Sequence, residues 1–354
     1  MVSAPGSMPE RFVLVLAGGR GERFWPWSRP ERPKQLLPLA PGGRTLLKAT
    51  FDRALAVVDR SRILVMTSMD LCEACQRECP GATILGEPVM RNTAPAIAAA
   101  AAWIGEESAF AVLPADHAVD DEDGFARDLK RAFEVAEKQT VLVTFGIRPS
   151  SPQTSFGYIQ RGEKLADRLY RVAKFTEKPD RALATQWIAG GAHLWNSGIF
   201  VWRKRVFFDA LEAGRPAIAS ALRKLPSPDS PDEFSKTLRD LFPTLESISV
   251  DYAVLEHAPN TVVIEAGFDW DDLGSWGAWA RRQSRDERGN VRFGDTVLLD
   301  CDGCVVVGEG GTAAAMGLRE MVVVHANGAT LACRLEDSES VRQVSEALRN
   351  RGGK

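Results

Sequence analysis

The sequence predicts an α/β protein with a Rossmann-like, mostly parallel sheet, helices on both faces of that sheet, and a small C-terminal β-rich unit. Apolar runs typical of buried strands alternate with helix-like segments over the first part of the chain. After about residue 289, Val- and Leu-rich runs return about every 8–12 residues between Gly and Asp turns. The length of 354 residues suits a large domain with an appendage. We therefore expect two domains, residues 1–288 and 289–354.

The expected strands of the first part are runs of consecutive apolar residues, as in strands covered on both faces. They are RFVLVLA (11–17), RILVMT (62–67), ATILGEP (82–88), FAVLPADH (110–117) and TVLVTFGI (140–147). Helical patterns separate them at 45–58, 69–78, 93–107 and 123–138. Thr93 is the expected cap of the third helix.

The middle of the chain is less regular. Strand signals occur in FGYIQRG, RLYRVAKFTEKP, HLWNSGIFVWR and TVVIEAGF. The segment ALRKLPSPDSPDEFSKTLRDL resembles two helices joined by a Pro/Ser loop, and SESVRQVSEALRN predicts a final helix.

Composition narrows the function classes. The net charge of −3 gives no indication of a nucleic-acid partner. No apolar run approaches the roughly 20 residues that span a bilayer, and the first residues do not resemble a signal peptide. We therefore expect a cytoplasmic protein without a membrane or nucleic-acid partner. The six cysteines include two C-x-x-C pairs that could hold zinc, but the pairs lie far apart in the sequence, which favours reduced thiols.

The segment LAGGRGERFWPWSRPERPKQ follows the first strand, where parallel sheets bind their ligands. Gly18, Gly19 and Gly21 would let backbone N–H groups approach an anion. Positive side chains suited to phosphate come from Arg20, Arg23, Arg29 and Lys34. The segment is not a P-loop, and Phe24 stands where a dinucleotide fingerprint needs its third glycine. An ordinary Gly-rich turn with solvated arginines is the alternative.

Carboxylates follow two further strands. Asp116 in LPADH comes at the end of an apolar strand and could hold Mg²⁺, or it could cap the next helix. The run GFDWDDLGSW supplies Asp269, Asp271 and Asp272. Two carboxylates from distant strand ends could clamp one metal ion.

Further polar residues suit a base and a sugar. Glu87 could accept hydrogen bonds from the N1–H and exocyclic amine of guanine, or it could be a surface residue of a capping box. Lys178 could bind a phosphate, and Glu177 and Asn196 could bind sugar hydroxyls. Each of these last three, taken alone, is compatible with an ordinary loop residue.

These motifs together resemble the sugar-1-phosphate nucleotidyltransferases. RNTAPAI, LPADH, FTEKP, WNSGIF and the Asp-x-Gly-Ser-Trp run resemble the mannose-1-phosphate guanylyltransferase branch of that family, over about residues 11–290. The β-rich tail resembles the β-helix-like C-terminal unit of the same branch. The resemblance implies transfer of GMP from GTP to mannose 1-phosphate, giving GDP-mannose and pyrophosphate, with Mg²⁺ as cofactor. It also implies a homodimer.

The resemblance also implies residue roles. Arg23 stabilises the leaving pyrophosphate, Lys34 the α-phosphate, and Asp116 and Asp272 hold Mg²⁺. The implied nucleotide-binding residues are Ala17, Gly18, Gly19, Gly21, Glu87, Asn92, Thr93 and Ala94. The implied sugar-phosphate residues are Gly157, Glu177, Lys178 and Asn196.

Two departures from the family pattern leave alternatives open. Ser155-Phe156 stands where members often have Gly-Tyr before the glycine, so a related sugar remains an alternative. Asp271 adds an acid beside Asp272, so either could be the second metal ligand. The competing functions are a related transferase with another sugar or base and a catalytically silent, nucleotide-sensing homologue.

Overall fold

Strands and helices alternate along the first part of the chain, as the sequence predicts. The computed structural model describes residues 9–19, 21–226 and 228–352. Its first strands are β1 (Arg11–Leu16), β2 (Ile63–Ser68), β3 (Thr83–Glu87), β4 (Ala109–Pro114), β5 (Leu142–Ile147), β6 (Tyr158–Ala166), β7 (Leu169–Thr176), β8 (His193–Arg203) and β9 (Thr261–Glu265). The α-helices of the same part are α1 (Leu46–Leu55), α2 (Cys72–Glu78), α3 (Thr93–Ala102), α4 (Glu122–Lys138), α5 (Arg181–Gly190), α6 (Lys204–Gly214), α7 (Pro216–Leu222), α8 (Pro231–Leu241) and α9 (Trp276–Arg281).

The strands β1–β9 form one mixed sheet. Their order is β3-β2-β1-β4-β8-β5-β9-β7-β6. The pairs β3–β2, β2–β1, β1–β4 and β5–β9 are parallel. Strand β8 lies between β4 and β5 and runs antiparallel to both. The sheet is therefore mostly parallel, as predicted, with antiparallel pairs on both sides of β8 and at the end formed by β9, β7 and β6.

The described chain divides into two compact units. The first contains the chain up to Gly18, Thr50–Ala115 and Val119–Trp270, and it holds the mixed sheet. The second contains Gly19–Ala49, Asp116–Ala118 and the chain from Asp271 onward. The predicted domain boundary at residues 288 and 289 stays a prediction.

The mixed sheet of the first unit is covered on both faces. Val13, Leu14 and Val15 are all at most 1% exposed, although successive side chains of a strand point to opposite faces. Leu14 belongs to an apolar cluster that includes Ile97 of α3 and Phe207 of α6. Continuous apolar runs in the sequence thus correspond to two-sided burial.

The carboxyl ends of β1–β4 lie at one edge of this sheet. Leu16 pairs with Pro114, and Ser68 pairs with Glu87. The register brings the chain after β1 and the end of β3 to the same edge, where α/β sheets bind ligands.

The second unit contains a smaller sheet and the segment that follows β1. The sheet is formed by β10 (Val291–Leu299), β11 (Val305–Met316), β12 (Met321–Ala326) and β13 (Ala329–Arg334), in that order. The helix α10 (Val341–Gly352) ends the described chain. Trp27 stacks on Trp276 with ring centroids 5.9 Å apart and contacts Phe293 of β10 at 4.7 Å.

The helix α3 differs from its prediction at both ends. Its cap is Asn92, whose side chain accepts the Thr93 N–H at 2.8 Å, whereas Thr93 was expected to be the cap. The Thr93 hydroxyl accepts the Val250 N–H instead, which is a long-range contact that local sequence does not reveal. The helix ends at Ala102 rather than near residue 107.

None of the helices in the described residues combines the length and the hydropathy that a transmembrane segment needs.

Candidate functional site

Two glycines of the loop after β1 differ in their surroundings. Gly21 has φ +62°, and a Cβ there would lie 2.3 Å from Lys34 Cβ and 2.5 Å from Lys34 N. A side chain at Gly21 would therefore displace Lys34. A Cβ at Gly19 would meet no atom of the described residues within 4 Å. The Gly19 backbone thus faces open space, where a ligand can approach it.

Lys34 connects three distant segments of the second unit. Its ammonium donates a hydrogen bond to Asp116 Oδ2 at 2.9 Å and another to the Asp272 carbonyl oxygen at 2.5 Å. The residue is only 6% exposed. These contacts bring together Lys34, Asp116 and Asp272, which the sequence analysis assigned to one site.

Arg23 and the Asp272 carboxylate face the same glycine. Asp272 Oδ1 accepts the Gly274 N–H at 3.1 Å. A Cβ at Gly274 would lie 2.8 Å from Asp272 Oδ2 and 3.3 Å from Arg23 Nη1. Gly274 leaves room for both charged groups, so Arg23 joins the cluster of Lys34, Asp116 and Asp272.

The pKa values of the two carboxyl groups of this cluster are shifted in opposite directions. Burial alone would raise the pKa of Asp116, but the nearby charges of Lys34 and His117 and the hydrogen bonds to this carboxylate together lower that pKa overall. Burial raises the pKa of Asp272, and the negative charges of Asp271 and Asp116 raise it further against Lys34 and Arg23. Asp272 therefore lies where additional positive charge would be favourable.

The neighbouring acids are engaged elsewhere. Asp271 Oδ1 accepts the Leu273 N–H at 2.8 Å, and its other oxygen lies 3.6 Å from Arg281. In the first unit, Asp269 Oδ1 accepts the N–H groups of Asp120 and Asp121. Asp272, not Asp271, is thus the acid beside Lys34 and Arg23.

The donor set fits a hard divalent cation in part. Carboxylate oxygens are suitable ligands for such an ion. Among the described residues, no group of three or more His, Cys, Asp and Glu side chains is arranged to hold a metal. Asp116 and Asp272 could therefore supply two ligands, and the others would come from a bound phosphate and water.

Glu87 is a buried carboxyl at the sheet edge of the first unit. It is 8% exposed, and its Oε1 lies 3.3 Å from the position of a Cβ on Gly18. Burial raises the pKa of Glu87 to about 7, against a hydrogen bond from the Arg91 backbone. A buried carboxylate with spare acceptor capacity suits a ligand with a donor edge.

Four more of the expected nucleotide-binding residues lie in the first unit: Ala17, Asn92, Thr93 and Ala94. Two of them use their backbone N–H groups within the fold. The Ala17 N–H donates to the Met66 carbonyl at 2.8 Å, and the Ala94 N–H donates to the Ile248 carbonyl at 3.1 Å. Asn92 is exposed, with a left-handed φ of +66° at the start of α3.

The expected sugar residues form a second cluster of the first unit. A Cβ at Gly157 would lie 2.5 Å from Glu177 Oε2 and 3.5 Å from Asn196 Cβ. Lys178 Nζ lies 2.9 Å from Glu177 Oε1. Interaction with that carboxylate raises the pKa of Lys178, so it remains an ammonium at neutral pH. A side chain at Gly157 would therefore displace the Glu177 carboxylate from its present position.

Asp251 belongs to this cluster, although sequence reasoning missed it. Its Oδ1 accepts the Asn196 Nδ2–H at 2.9 Å. Burial and the nearby charge of Glu177 raise the pKa of Asp251 to about 6. The sequence signal that could have indicated it is a single acid in the otherwise uncharged run of residues 250–255.

Two arginines that the sequence analysis listed as suited to phosphate are not among the described residues of the cluster around Lys34. Arg20 lies outside the described residues, and Arg29 is exposed. The six cysteines are all free thiols in the described structure.

Comparison with known proteins places this geometry in a family. The nucleotidyl transferase family profile matches residues 12–288, and the profile of the MannoseP isomerase/GMP-like beta-helix domain matches residues 294–348. The chain is 36% identical to the xanthan biosynthesis protein XanB of Xanthomonas campestris pv. campestris (strain ATCC 33913), covering 98% of this chain and 74% of that one. It is 36% identical to a mannose-1-phosphate guanylyltransferase of Klebsiella pneumoniae, covering 95% of this chain and 73% of that one.

A solved structure agrees over nearly the whole fold. It is described as mannose-1-phosphate geranyltransferase from Thermus thermophilus. The TM-score is 0.86 at 35% identity, covering 96% of this chain and 99% of that one. The predicted α/β fold and the β-helix-like C-terminal unit are confirmed by these matches. The chain therefore belongs to the nucleotidyl transferase family and is a relative of the bacterial mannose-1-phosphate guanylyltransferases.

Proposed function

We propose that the chain transfers the GMP group of GTP to mannose 1-phosphate and releases pyrophosphate. Relatives named mannose-1-phosphate guanylyltransferase, at 35–36% identity over 73% of their length, support this activity. The observation that carries the proposal is the cluster of Lys34, Asp116, Asp272 and Arg23, in which two cations lie beside two carboxylates. Such a cluster suits a polyphosphate with a metal ion.

The reaction is a single displacement at phosphorus. A phosphate oxygen of mannose 1-phosphate attacks the α-phosphorus of GTP and forms the new P–O bond. The bond between the α-phosphorus and its bridging oxygen breaks, and the electron pair leaves with pyrophosphate. The nucleophile is already an anion, so catalysis consists mainly of positioning and charge stabilisation.

The two cations have separate roles in this proposal. Lys34 leaves its contact with Asp116 to bind the α-phosphate, and Arg23 stabilises the charge that develops on pyrophosphate. A guanidinium offers paired N–H donors in one plane to phosphate oxygens, an arrangement that an ammonium lacks.

Asp116 and Asp272 would hold the metal, which we propose is Mg²⁺. The ion neutralises phosphate charge when bound. Burial and the negative charges of Asp271 and Asp116 raise the pKa of Asp272, and a bound cation would offset those charges, which supports its role.

A separate set of groups provides the specificity in this proposal. We propose that Glu87 accepts from the guanine edge, and that backbone groups of Ala17, Gly18 and Gly19 lie along the nucleotide. Asn92, Thr93 and Ala94 would contribute through the start of α3, although the Ala94 N–H is already used by Ile248.

The second cluster of the first unit would bind the sugar phosphate. Lys178 would bind the phosphate of mannose 1-phosphate. The Glu177 carboxylate would accept hydrogen bonds from the sugar hydroxyls, and the Asn196 amide would donate to them, close to the Gly157 backbone. Asp251 would orient the Asn196 amide.

One assay tests this proposal. Pyrophosphate release is measured with mannose 1-phosphate and each of GTP, ATP, UTP and dTTP, and again with glucose 1-phosphate in place of the mannose sugar. We expect turnover with GTP and mannose 1-phosphate, abolished in Lys34→Met and retained in the matched control Arg29→Met, whose residue is exposed. Preference for another nucleotide or sugar would favour the related transferase. Nucleotide binding without any turnover would favour the silent homologue.

The homodimer and the cytoplasmic location expected from the sequence stay predictions.

A further inference from the structure

The C-terminal helix contacts the loop segment that carries Arg23. Arg349 Nη1 lies 2.6 Å from Glu22 Oε1, and Arg342 Nε lies 3.5 Å from Glu22 Oε2. All three residues belong to the second unit. Each oxygen of the Glu22 carboxylate therefore faces an arginine of α10, and Arg342 also pairs with Glu346, whose Oε1 lies 2.8 Å from its Nε.

The spacing of the two arginines explains how one helix supplies both. Arg342 and Arg349 are seven residues apart, which is close to two helical turns, so they share a face of α10. Val341, at the start of the same helix, is 2% exposed and belongs to the apolar cluster that contains Phe24 and Trp27. Val341 thus fixes the helix on the core while the arginines reach Glu22.

Glu22 begins a short helical segment whose other end is anchored by the buried Phe24. It is the first residue of a 3-10 helix of three residues, Glu22–Phe24. Helices this short have poor hydrogen-bond geometry and depend on their surroundings. Gly21 precedes it against Lys34, and Arg23 follows it. A displacement of Glu22 would therefore move both proposed phosphate-binding cations.

The charge of Glu22 also needs compensation. A carboxylate next to Arg23 would repel an incoming polyphosphate and would attract the Arg23 guanidinium away from it. The two arginines of α10 neutralise that carboxylate from the other side.

We infer that Glu22, Arg342 and Arg349 are positioning residues: α10 holds the Glu22 carboxylate so that Arg23 and Lys34 keep their places for phosphate. The inference rests on the proposed function and adds to it a role in turnover for the C-terminal helix. Exposed ion pairs contribute little to folding stability, so the effect should appear in turnover rather than in the melting temperature.

The test compares Arg349→Ala and the double variant Arg342→Ala/Arg349→Ala with Arg351→Ala. Arg351 lies on the same helix, and no ion pair joins it to another described residue. We expect kcat of the double variant to fall on the order of tenfold, because small displacements of phosphate-binding groups are costly. The KM for mannose 1-phosphate and the melting temperature should change little, and Arg351→Ala should match the wild type.

Charge reversal provides the second measurement. Glu22→Arg should lower kcat. Combining Glu22→Arg with Arg342→Glu/Arg349→Glu should restore part of it, which is not expected if α10 acts through apolar packing alone. Equal kcat values in the double variant and Arg351→Ala would overturn the inference while leaving the proposed function intact. A wild-type chain that releases no pyrophosphate would overturn the proposed function and this inference with it.

Discussion

Replacing Glu87 with glutamine should make the protein more stable at alkaline pH. Glu87 is buried, and the Arg91 backbone is the group that favours its charged form. Its pKa is about 7 in the folded protein against an ordinary value of 4.5. Glutamine has nearly the same shape and carries no charge, so Glu87→Gln removes the cost of burying a carboxylate.

The size and pH range of the effect follow from that pKa difference. The rise from 4.5 to about 7 corresponds to about 3 kcal/mol of unfolding free energy. Because the folded pKa is raised, the contribution of Glu87 to stability is complete below pH 4.5 and is lost as the pH rises through 7. Glu87→Gln should therefore match the wild type near pH 4.5 and exceed it by up to about 3 kcal/mol at pH 8.

Urea unfolding at pH 5 and pH 8 measures this difference. The exposed Glu107→Gln is the matched control, since it removes one carboxylate without changing a buried one. At pH 8, the same Glu87→Gln protein should lose preference for GTP over ATP, on the order of 1–3 kcal/mol for a spoiled polar pairing. In the wild type, protonation of Glu87 below pH 7 should weaken GTP binding.

The two readouts can fail separately. If the difference in unfolding free energy between Glu87→Gln and the wild type is the same at pH 5 and pH 8, Glu87 is not a buried, weakly compensated carboxyl. The expected stability gain with an unchanged preference for GTP would leave the burial argument intact and remove Glu87 from the base site.

Three further predictions concern the second unit. Asp272→Asn should reduce turnover severely and Asp271→Asn only mildly, because Asp272 lies beside Lys34; the reverse order in a pyrophosphate-release assay would assign the metal to Asp271. Gly21→Ala should lower kcat at least tenfold because its Cβ would overlap Lys34; wild-type kcat would contradict the close approach. Truncation after Asn290 should abolish cooperative thermal unfolding of the second unit, since that removes Phe293 and its sheet from the aromatic core; a stable, active truncated protein would refute this.

Local sequence predicted the elements of the first unit well. The runs that became β1, β2, β4 and β5 are continuously apolar, and burial on both faces leaves that pattern in the sequence. The end of α3 was predicted too late: the helix ends at Ala102, and Gly105, a residue typical of helix ends, lies just beyond it. The position of β8 between β4 and β5 was not predictable, because strand order depends on pairings between distant segments.

The site was predictable where motif residues lie at strand ends, and less so elsewhere. Motif spacing indicated Lys34, Asp116 and Asp272, and the structure brings them together. Asp251 and Glu22 were not found because their significance comes from partners far away in sequence, Asn196 for one and α10 for the other. Charge and burial at such positions become visible only with the tertiary contacts.

Lys34 contacts Asp116 and Asp272, which are far from it in sequence, and these contacts affect the free energy of ligand binding. A long loop rich in glycine and proline would lose much conformational freedom if it became ordered only around its ligand. Here the lysine acts as an internal counterion that keeps Asp116 compensated and ties the loop to the Asp272 backbone beforehand. The loop thus loses its conformational entropy when the protein folds, not when the ligand binds. Arriving phosphates exchange one set of charged partners for another instead of organising a disordered segment.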